Sequence, residues 1–193
     1  MIKTFINSFV LLIILVNYSC SPVNILGGVG ASTMVVAEGE RSLGTVVDDA
    51  TIKLNLSTKF LKSENNLFIN INTNVLEGRV LLTGLVENQE IRIDAVRQVW
   101  EINGVREVIN EIEVGKKTTI KEYANDLWIS TQVKALAAKT IGLRSLSYNF
   151  ETIRGKVYIA GITSRPEQQD SIIQSTKTVK GVKEIVNLVI IKE

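Results

Sequence analysis

The sequence predicts an α+β fold in which one small domain occurs twice, each copy with the element order αββαβ. Two alignments within the chain support this prediction. Residues 78–84 (GRVLLTG) match residues 155–161 (GKVYIAG), and residues 103–110 (NGVREVIN) match residues 180–187 (KGVKEIVN), both at a shift of 77 residues without a gap. Chance would not keep one register across separated blocks, so the chain contains an internal repeat. We expect domains at residues 45–117 and 120–193.

Each copy is expected to begin with a helix. Asp48 and Asp49 in the first copy, and Asn125 and Asp126 in the second, are residue types that cap helix N-termini. Apolar residues then recur every fourth position, which gives each helix a stripe that faces the core. These residues are Ile52, Leu56 and Phe60 in the first copy and Ile129, Val133 and Ala137 in the second.

A β-hairpin is expected next. Its first strand alternates apolar and polar residues, the apolar ones being Leu67, Ile69 and Ile71 in one copy and Tyr148 and Phe150 in the other. Glu77-Gly78 and Arg154-Gly155 are typical of a tight hairpin turn. The second strand then covers residues 79–85 and 156–162.

A second helix and a last strand complete each copy. Gly104 and Gly181 are predicted to end the second helix in a left-handed conformation. Residues 105–114 and 182–191 are rich in β-branched residues and should pair with the second strand through a right-handed crossover. The result is a three-stranded mixed sheet packed against two helices.

Composition excludes several classes of function. The chain has no histidine and one cysteine, which rules out a histidine-based active site, a cysteine metal cluster and an internal disulfide. A net charge of +2, with no run of basic residues, does not indicate nucleic-acid binding. We therefore expect no enzyme activity, cofactor, metal or small-molecule substrate. A hydrolase using Asp48 and Asp49 is the weaker alternative, because helix capping explains both carboxylates.

The first 19 residues have the pattern of an export signal. Lys3 precedes an apolar run from Phe5 to Val16, too short to cross a bilayer comfortably. The run ends at Ser19-Cys20, which resembles the lipobox of bacterial lipoproteins, although Asn17 replaces the usual leucine. The resemblance implies that Cys20 is the lipid anchor and that residues 20–44 form a flexible tether. An ordinary cleaved signal with an incidental cysteine is the alternative.

Two motifs in each copy resemble the BON domain of bacterial envelope proteins. The first copy has VLLTG at residues 80–84 and GVREVIN at residues 104–110, and the second has VYIAG at residues 157–161 and GVKEIVN at residues 181–187. The whole plan is similar to outer-membrane lipoproteins with tandem BON domains. The resemblance implies a non-enzymatic protein, anchored in the outer membrane and facing the periplasm, that maintains membrane integrity. It also implies that the second domain binds anionic phospholipid.

The repeat itself indicates which residues contact lipid. Trp128 occupies the position of Thr51, and a site that accepts threonine in one copy is expected to be on the surface, where tryptophan is favoured at bilayer interfaces. Residues 120–193 carry 11 basic and 7 acidic side chains, whereas residues 45–119 carry 9 and 11, and anionic headgroups attract cations. The predicted phospholipid-binding residues are Leu127, Trp128, Thr131, Lys134, Ala135 and Lys139.

Two alternatives remain open from sequence. Trp128 is equally compatible with burial between the two domains. Burial of Trp128 would favour a periplasmic protein-interaction module that aids outer-membrane protein assembly or stress protection. Its partners would then be outer-membrane assembly proteins.

Overall fold

The structure, a computed structural model, describes residues 42–192. The predicted export signal (residues 1–19), Cys20 and nearly all of the predicted tether lie outside the described residues. Both repeats lie inside them, in a single structural unit.

Each repeat has the predicted order αββαβ, with one additional short helix. In the first repeat the elements are α1 (Leu43–Leu61), α2 (Leu67–Asn70), β1 (Ile71–Leu76), β2 (Arg79–Val86), α3 (Gln89–Trp100) and β3 (Glu107–Val114). In the second they are α4 (Ile120–Ile141), a 3-10 helix (Gly142–Ser147), β4 (Tyr148–Ile153), β5 (Lys156–Thr163), α5 (Pro166–Lys177) and β6 (Glu184–Ile191). In both repeats the middle strand pairs antiparallel with the first strand and parallel with the third, as predicted.

The first helix of each repeat begins earlier than predicted. The Ser42 side chain caps α1, six and seven residues before the aspartates that were expected to do so. Thr119 caps α4 in a capping box, in which the Glu122 carboxylate also accepts the backbone N–H of Thr119 at 2.8 Å. These side chains satisfy the free N–H groups of the first turn, so no aspartate is needed there. The prediction that Asp48/Asp49 and Asn125/Asp126 open the helices is wrong.

Asp49 and Asp126 hold the hairpin turn instead. Both are buried within a helix, with 5% and 7% of their surface exposed. The Asp49 carboxylate accepts the backbone N–H groups of Glu77 and Gly78, each at 2.8 Å. Asp126 accepts those of residues 154 and 155 at 2.7 and 2.9 Å. Both turn residues have positive φ, 53° and 76° in the first repeat, so the tight hairpin turn predicted from the X-Gly pair is present and has type I′ geometry.

The first strand of the first repeat is shorter than predicted. Asn66 has a φ of 52° and reverses the chain, after which residues 67–70 form the short helix α2. Leu67 is fully buried and fixes this turn to the core, whereas Ile69 is 79% exposed. The alternation that predicted a strand from Leu67 onward is therefore real only from Ile71.

Gly104 and Gly181 do not end the second helices. The helices α3 and α5 stop at Trp100 and Lys177, and the chain continues through a tight loop before each glycine. In the first repeat the Ile102 N–H donates to the Val99 carbonyl at 3.0 Å and forms part of that loop. Both glycines have positive φ, 93° and 100°, so the left-handed conformation was predicted correctly but its position was not.

Each repeat has its own core between its sheet and its helices. The six helix residues predicted to face inward are all buried, with 3% exposure or less. In the first repeat they pack with strand residues that include Val80 and Leu82, and in the second with Val157 and Ile159. Because both cores lie wholly within residues 42–192, this part of the chain carries what it needs to fold.

The opposite faces of the two sheets pack against each other. Leu81 and Thr83 on β2, and Tyr158, Ala160 and Ile162 on β5, are buried although they belong to neither helix-side core. The strands β1 and β5 are in contact, as are β2 and β4. Each repeat therefore has helices on one face of its sheet and the other repeat on the other face.

The interface has approximate two-fold symmetry. The pairs β1–β5 and β2–β4 exchange when the repeats are exchanged. Glu77, in the first hairpin turn, forms an ion pair with Lys192, just after β6. The equivalent turn residue, Arg154, donates from Nη2 to the carbonyl of Lys116, just after β3, at 2.8 Å. Each hairpin turn thus contacts the end of the last strand of the other repeat.

Candidate functional site

The six predicted lipid-binding residues lie on one exposed side of α4. Trp128 is 51% exposed and Leu127 is 56% exposed, and the other four are also exposed. The structure therefore does not bury Trp128 between the domains. At 100° per residue the six positions fall within one continuous face, with Leu127 and Lys134 at one border and Trp128 and Lys139 at the other.

The local fold fixes this face outward. Ile129, Val133 and Ala137 bury the opposite side of α4, and the Thr119 capping box fixes where the helix begins. Asp126 also ties the helix to the hairpin turn through two hydrogen bonds. A rigid helix with one buried side can expose Trp128 only toward solvent.

The equivalent helix α1 differs at the decisive position. Thr51, the equivalent of Trp128, is exposed and donates its hydroxyl to the Val47 carbonyl at 2.9 Å. The helix α1 does expose apolar residues of its own, since Val47, Leu54 and Leu61 are each more than 60% exposed at seven-residue intervals. An exposed aromatic residue at this position is thus found only in α4 of the two helices, whereas both helices expose apolar surface.

A deep cleft between the two repeats was not predicted from sequence. It has a volume of about 920 Å³ and lies between α1 and β1 of the first repeat and α4 and β4 of the second. Lys53, Lys117 and Lys134 line it together with exposed apolar residues. Those apolar residues are Phe68, Ile69, Ile120, Tyr123 and Leu127. The cleft is not evident from the sequence because its walls come from different repeats, although the adjacent apolar residues Phe68 and Ile69 were a signal.

Glu151 lies in this cleft and joins the two repeats. Its carboxylate accepts a hydrogen bond from the Thr83 hydroxyl at 3.0 Å and another from the Asn72 amide, both in the first repeat. Burial raises the pKa of Glu151 above its ordinary value, while the hydrogen bond from Thr83 and the charge of Lys134 act in the opposite direction. The cleft thus contains a carboxyl group that is more easily protonated than a free glutamate.

The structure offers no support for a carboxylate hydrolase. Asp49 is committed to the hairpin turn, and Asp48 beside it is exposed. Within residues 42–192, no group of three histidine, cysteine or acidic side chains is arranged to hold a metal ion. None of the helices in this range is both long and apolar enough to span a bilayer.

Comparison with known families identifies the repeat. The sequence profile of the BON domain matches residues 48–116 and again residues 125–193, one match for each αββαβ unit. The chain belongs to the BON-domain family. The two matched ranges contain the turn-binding residues Asp49 and Asp126.

Relatives of this tandem BON protein cover most of its length. It is 39% identical over 147 residues to an Anaplasma centrale protein described as an uncharacterized protein in the gshII 5' region, which spans 76% of this chain and 96% of that one. It is 27% identical over 169 residues to the outer membrane lipoprotein DolP of Haemophilus influenzae, covering 85% and 84% of the two chains. It is 26% identical over 147 residues to the osmotically-inducible protein Y of Escherichia coli, covering 75% and 73%.

Proposed function

We propose that this tandem BON protein is a lipid-anchored, non-enzymatic protein of the bacterial outer membrane that faces the periplasm and binds anionic phospholipid through α4. Binding would serve to maintain the integrity of the outer membrane. The likeness to an outer membrane lipoprotein supports the location, and Cys20 at the end of the export-type segment supports the anchor.

The observation that carries the lipid-binding proposal is the exposed Trp128 on a rigid helix. An indole ring at a bilayer interface places its apolar part among acyl chains and its N–H among headgroups. Leu127 adds apolar surface beside it, and Lys134 and Lys139 add positive charge, each worth about 1 kcal/mol near an anionic surface. The second repeat also has the more basic composition.

Vesicle co-sedimentation tests this proposal. Residues 42–193 are incubated with vesicles of phosphatidylcholine alone or with added phosphatidylglycerol. We expect sedimentation only with phosphatidylglycerol, and we expect Trp128→Glu to abolish it. Leu54→Glu is the matched control, because it places the same charge on the exposed side of the equivalent helix α1. No binding by the unaltered fragment, or equal loss in both variants, would contradict a lipid site on α4.

The anchor requires a separate test in cells. Cys20→Ala in the full chain removes the thiol that would be acylated, so we expect the protein to move from the membrane fraction to the soluble periplasmic fraction. The Ser21→Ala variant is the control and should stay in the membrane fraction. A Cys20→Ala protein that still sediments with membranes would rule out the lipid anchor.

A protein-interaction module is the second candidate function, and α1 supports it. Val47, Leu54 and Leu61 form an exposed apolar stripe on a helix whose one aromatic residue, Phe60, is buried. Such stripes are typical of surfaces that dock onto other proteins. In this reading the protein would aid outer-membrane protein assembly or stress protection. Its test is whether Leu54→Glu, rather than Trp128→Glu, removes the protein's effect on outer-membrane permeability.

A further inference from the structure

The cleft between the BON repeats has the features of a binding site for a single amphiphilic molecule. Its volume of about 920 Å³ lies within the range of small-molecule sites, which are roughly 300–1,000 Å³. Phe60, Ile71 and Phe150 line it with less than 5% of their own surface exposed, so the cleft reaches down to both cores. A flat bilayer cannot enter such a concave space, whereas one lipid molecule can.

Apolar residues from both repeats border the cleft. Phe68 and Ile69 come from the short helix α2, and Tyr123 and Leu127 come from α4. All four are more than half exposed, and Ile69 is exposed to 79%. Covering this surface with an acyl chain would remove apolar area from water, which favours binding.

The first helix of each repeat also contributes one lysine to the cleft, although the two lysines are not at equivalent positions. Lys53 and Ser57 on α1 align with Ser130 and Lys134 on α4, and all four residues line the cleft. The approximate two-fold axis thus brings one lysine from each helix to the same space. The Lys53 ammonium donates to the Thr73 carbonyl at 3.0 Å, and within residues 42–192 neither lysine forms an ion pair.

The one carboxylate between these lysines is already occupied. Glu151 accepts hydrogen bonds from Thr83 and Asn72, and both Lys53 and Lys134 act on its titration without contacting it at ion-pair distance. The other acidic residue in the cleft, Asp126, is bound by the hairpin turn. The two lysines are therefore free to interact with an anionic group.

From this arrangement we infer that the interdomain cleft binds a single anionic lipid molecule, with its headgroup between Lys53 and Lys134 and its acyl chain against Phe68, Ile69, Tyr123 and Leu127. The inference takes its ligand class from the proposed function and shares Leu127 and Lys134 with the proposed α4 face, but it places the lipid in the cleft, where the first BON repeat takes part and Trp128 does not. It makes the protein a receptor for individual lipid molecules in addition to a surface that touches bilayers.

The test measures binding of a monomeric anionic lipid to residues 42–193. The probe is fluorescently labelled lysophosphatidylglycerol below its critical micelle concentration, with lysophosphatidylcholine of the same chain length and glycerol phosphate as controls. We expect saturable binding of the first probe only. Because Lys53 and Ile69 are exposed, Lys53→Gln and Ile69→Ser should fold normally, which circular dichroism verifies, and each should weaken binding about fivefold or more.

Matched controls separate this site from the bilayer-contact face. Leu143 is 77% exposed and does not line the cleft, so Leu143→Ser should leave the affinity within about twofold. Trp128→Glu should also bind the monomeric probe normally, while it fails to sediment with vesicles. The two proposals can therefore fail independently.

Several results would overturn the inference. The unaltered fragment could show no saturable binding, or it could bind lysophosphatidylcholine or glycerol phosphate as tightly as lysophosphatidylglycerol. Unchanged affinity in Lys53→Gln or in Ile69→Ser would also overturn it. A Trp128→Glu protein as impaired as Ile69→Ser would place the lipid on the outer face of α4. Concentration-dependent dimerisation that Ile69→Ser abolishes would show that a second copy fills the cleft.

Discussion

A carboxylate in the second turn of each first helix has a role that its position in the sequence does not reveal. Asp49 and Asp126 were predicted to cap helices, since aspartate is a common capping residue. The actual caps, Ser42 and Thr119, stand seven residues before them. The aspartates instead bind two N–H groups of a type I′ turn nearly 30 residues away in sequence. The preference of aspartate for helix N-termini draws attention to these residues in the sequence. Only the tertiary structure shows that their partner is the hairpin turn.

Removing the turn-binding carboxylate should destabilise its repeat. Asp126→Ala deletes two hydrogen bonds to a charged acceptor and leaves two backbone N–H groups without their partner. We expect a loss of about 3 kcal/mol in the free energy of unfolding, measured by urea titration. Asp48→Ala is the control, because Asp48 is the exposed residue directly before the turn-binding Asp49, and it should change stability by less than about 0.5 kcal/mol. Equal effects would refute the role of the turn contact.

Glu151 should make the stability of the protein depend on pH. Because burial raises its pKa in the folded state, the folded protein binds this proton more tightly than the unfolded chain does. The contribution of this group is therefore fully present below the unfolded pKa and is lost as pH rises through the raised folded pKa. Glu151→Gln should remove this decline. Urea titrations from pH 4 to 8 test this, and an unchanged slope in the variant would contradict it.

At the scale of elements, periodicity predicted the parts that bury one side. The helices α1 and α4, the hairpins and the parallel pairing of β2 with β3 all follow from apolar spacing and the X-Gly turns. Errors occurred where the chain bends between elements, at α2 and before Gly104, because those bends depend on which residue reaches the core. Leu67 is buried and Ile69 is not, which an alternating pattern does not distinguish.

The glycine that ends VLLTG in the first repeat and VYIAG in the second is required by strand packing. Gly84 has a φ of 140°, and a Cβ atom there would lie 2.2 Å from the Asn70 carbonyl oxygen. Gly84→Ala should therefore lower the free energy of unfolding by more than about 2 kcal/mol. In contrast, Gly44→Ala on α1 meets no atom closer than 3.9 Å and should stabilise by up to about 1 kcal/mol. Thermal unfolding of both variants checks the opposite signs.

At the scale of the whole molecule, the sequence predicted two domains but not how they associate. The exposed side of α4 was predicted because one helix and its equivalent were compared position by position. The cleft was not, since it depends on the orientation of one repeat against the other. That orientation is held by buried residues on the faces of β2 and β5 that point away from the helices. In the sequence these residues look like ordinary strand residues.

A charge placed between the sheets should separate the two repeats without unfolding either core. Ala160 is 3% exposed and lies outside the helix-side core, so Ala160→Glu would bury a charge in the interface. We expect a larger radius of gyration by small-angle scattering and two unfolding transitions in place of one. Ala138→Glu, on the exposed side of α4, should retain the original radius and a single transition. A compact Ala160→Glu protein would argue against the sheet-to-sheet contact.

The fixed start of α4 affects how the protein would meet a membrane. Many peripheral proteins use a segment that becomes helical only upon contact, and such coupled folding consumes about 2–5 kcal/mol of the interaction energy. The Thr119 capping box and the buried stripe of α4 form this helix beforehand. Association then involves little ordering of the backbone, so a few side chains suffice for brief, reversible visits to the lipid surface. We expect the α4 contact to form and break repeatedly, independently of the anchor proposed at Cys20.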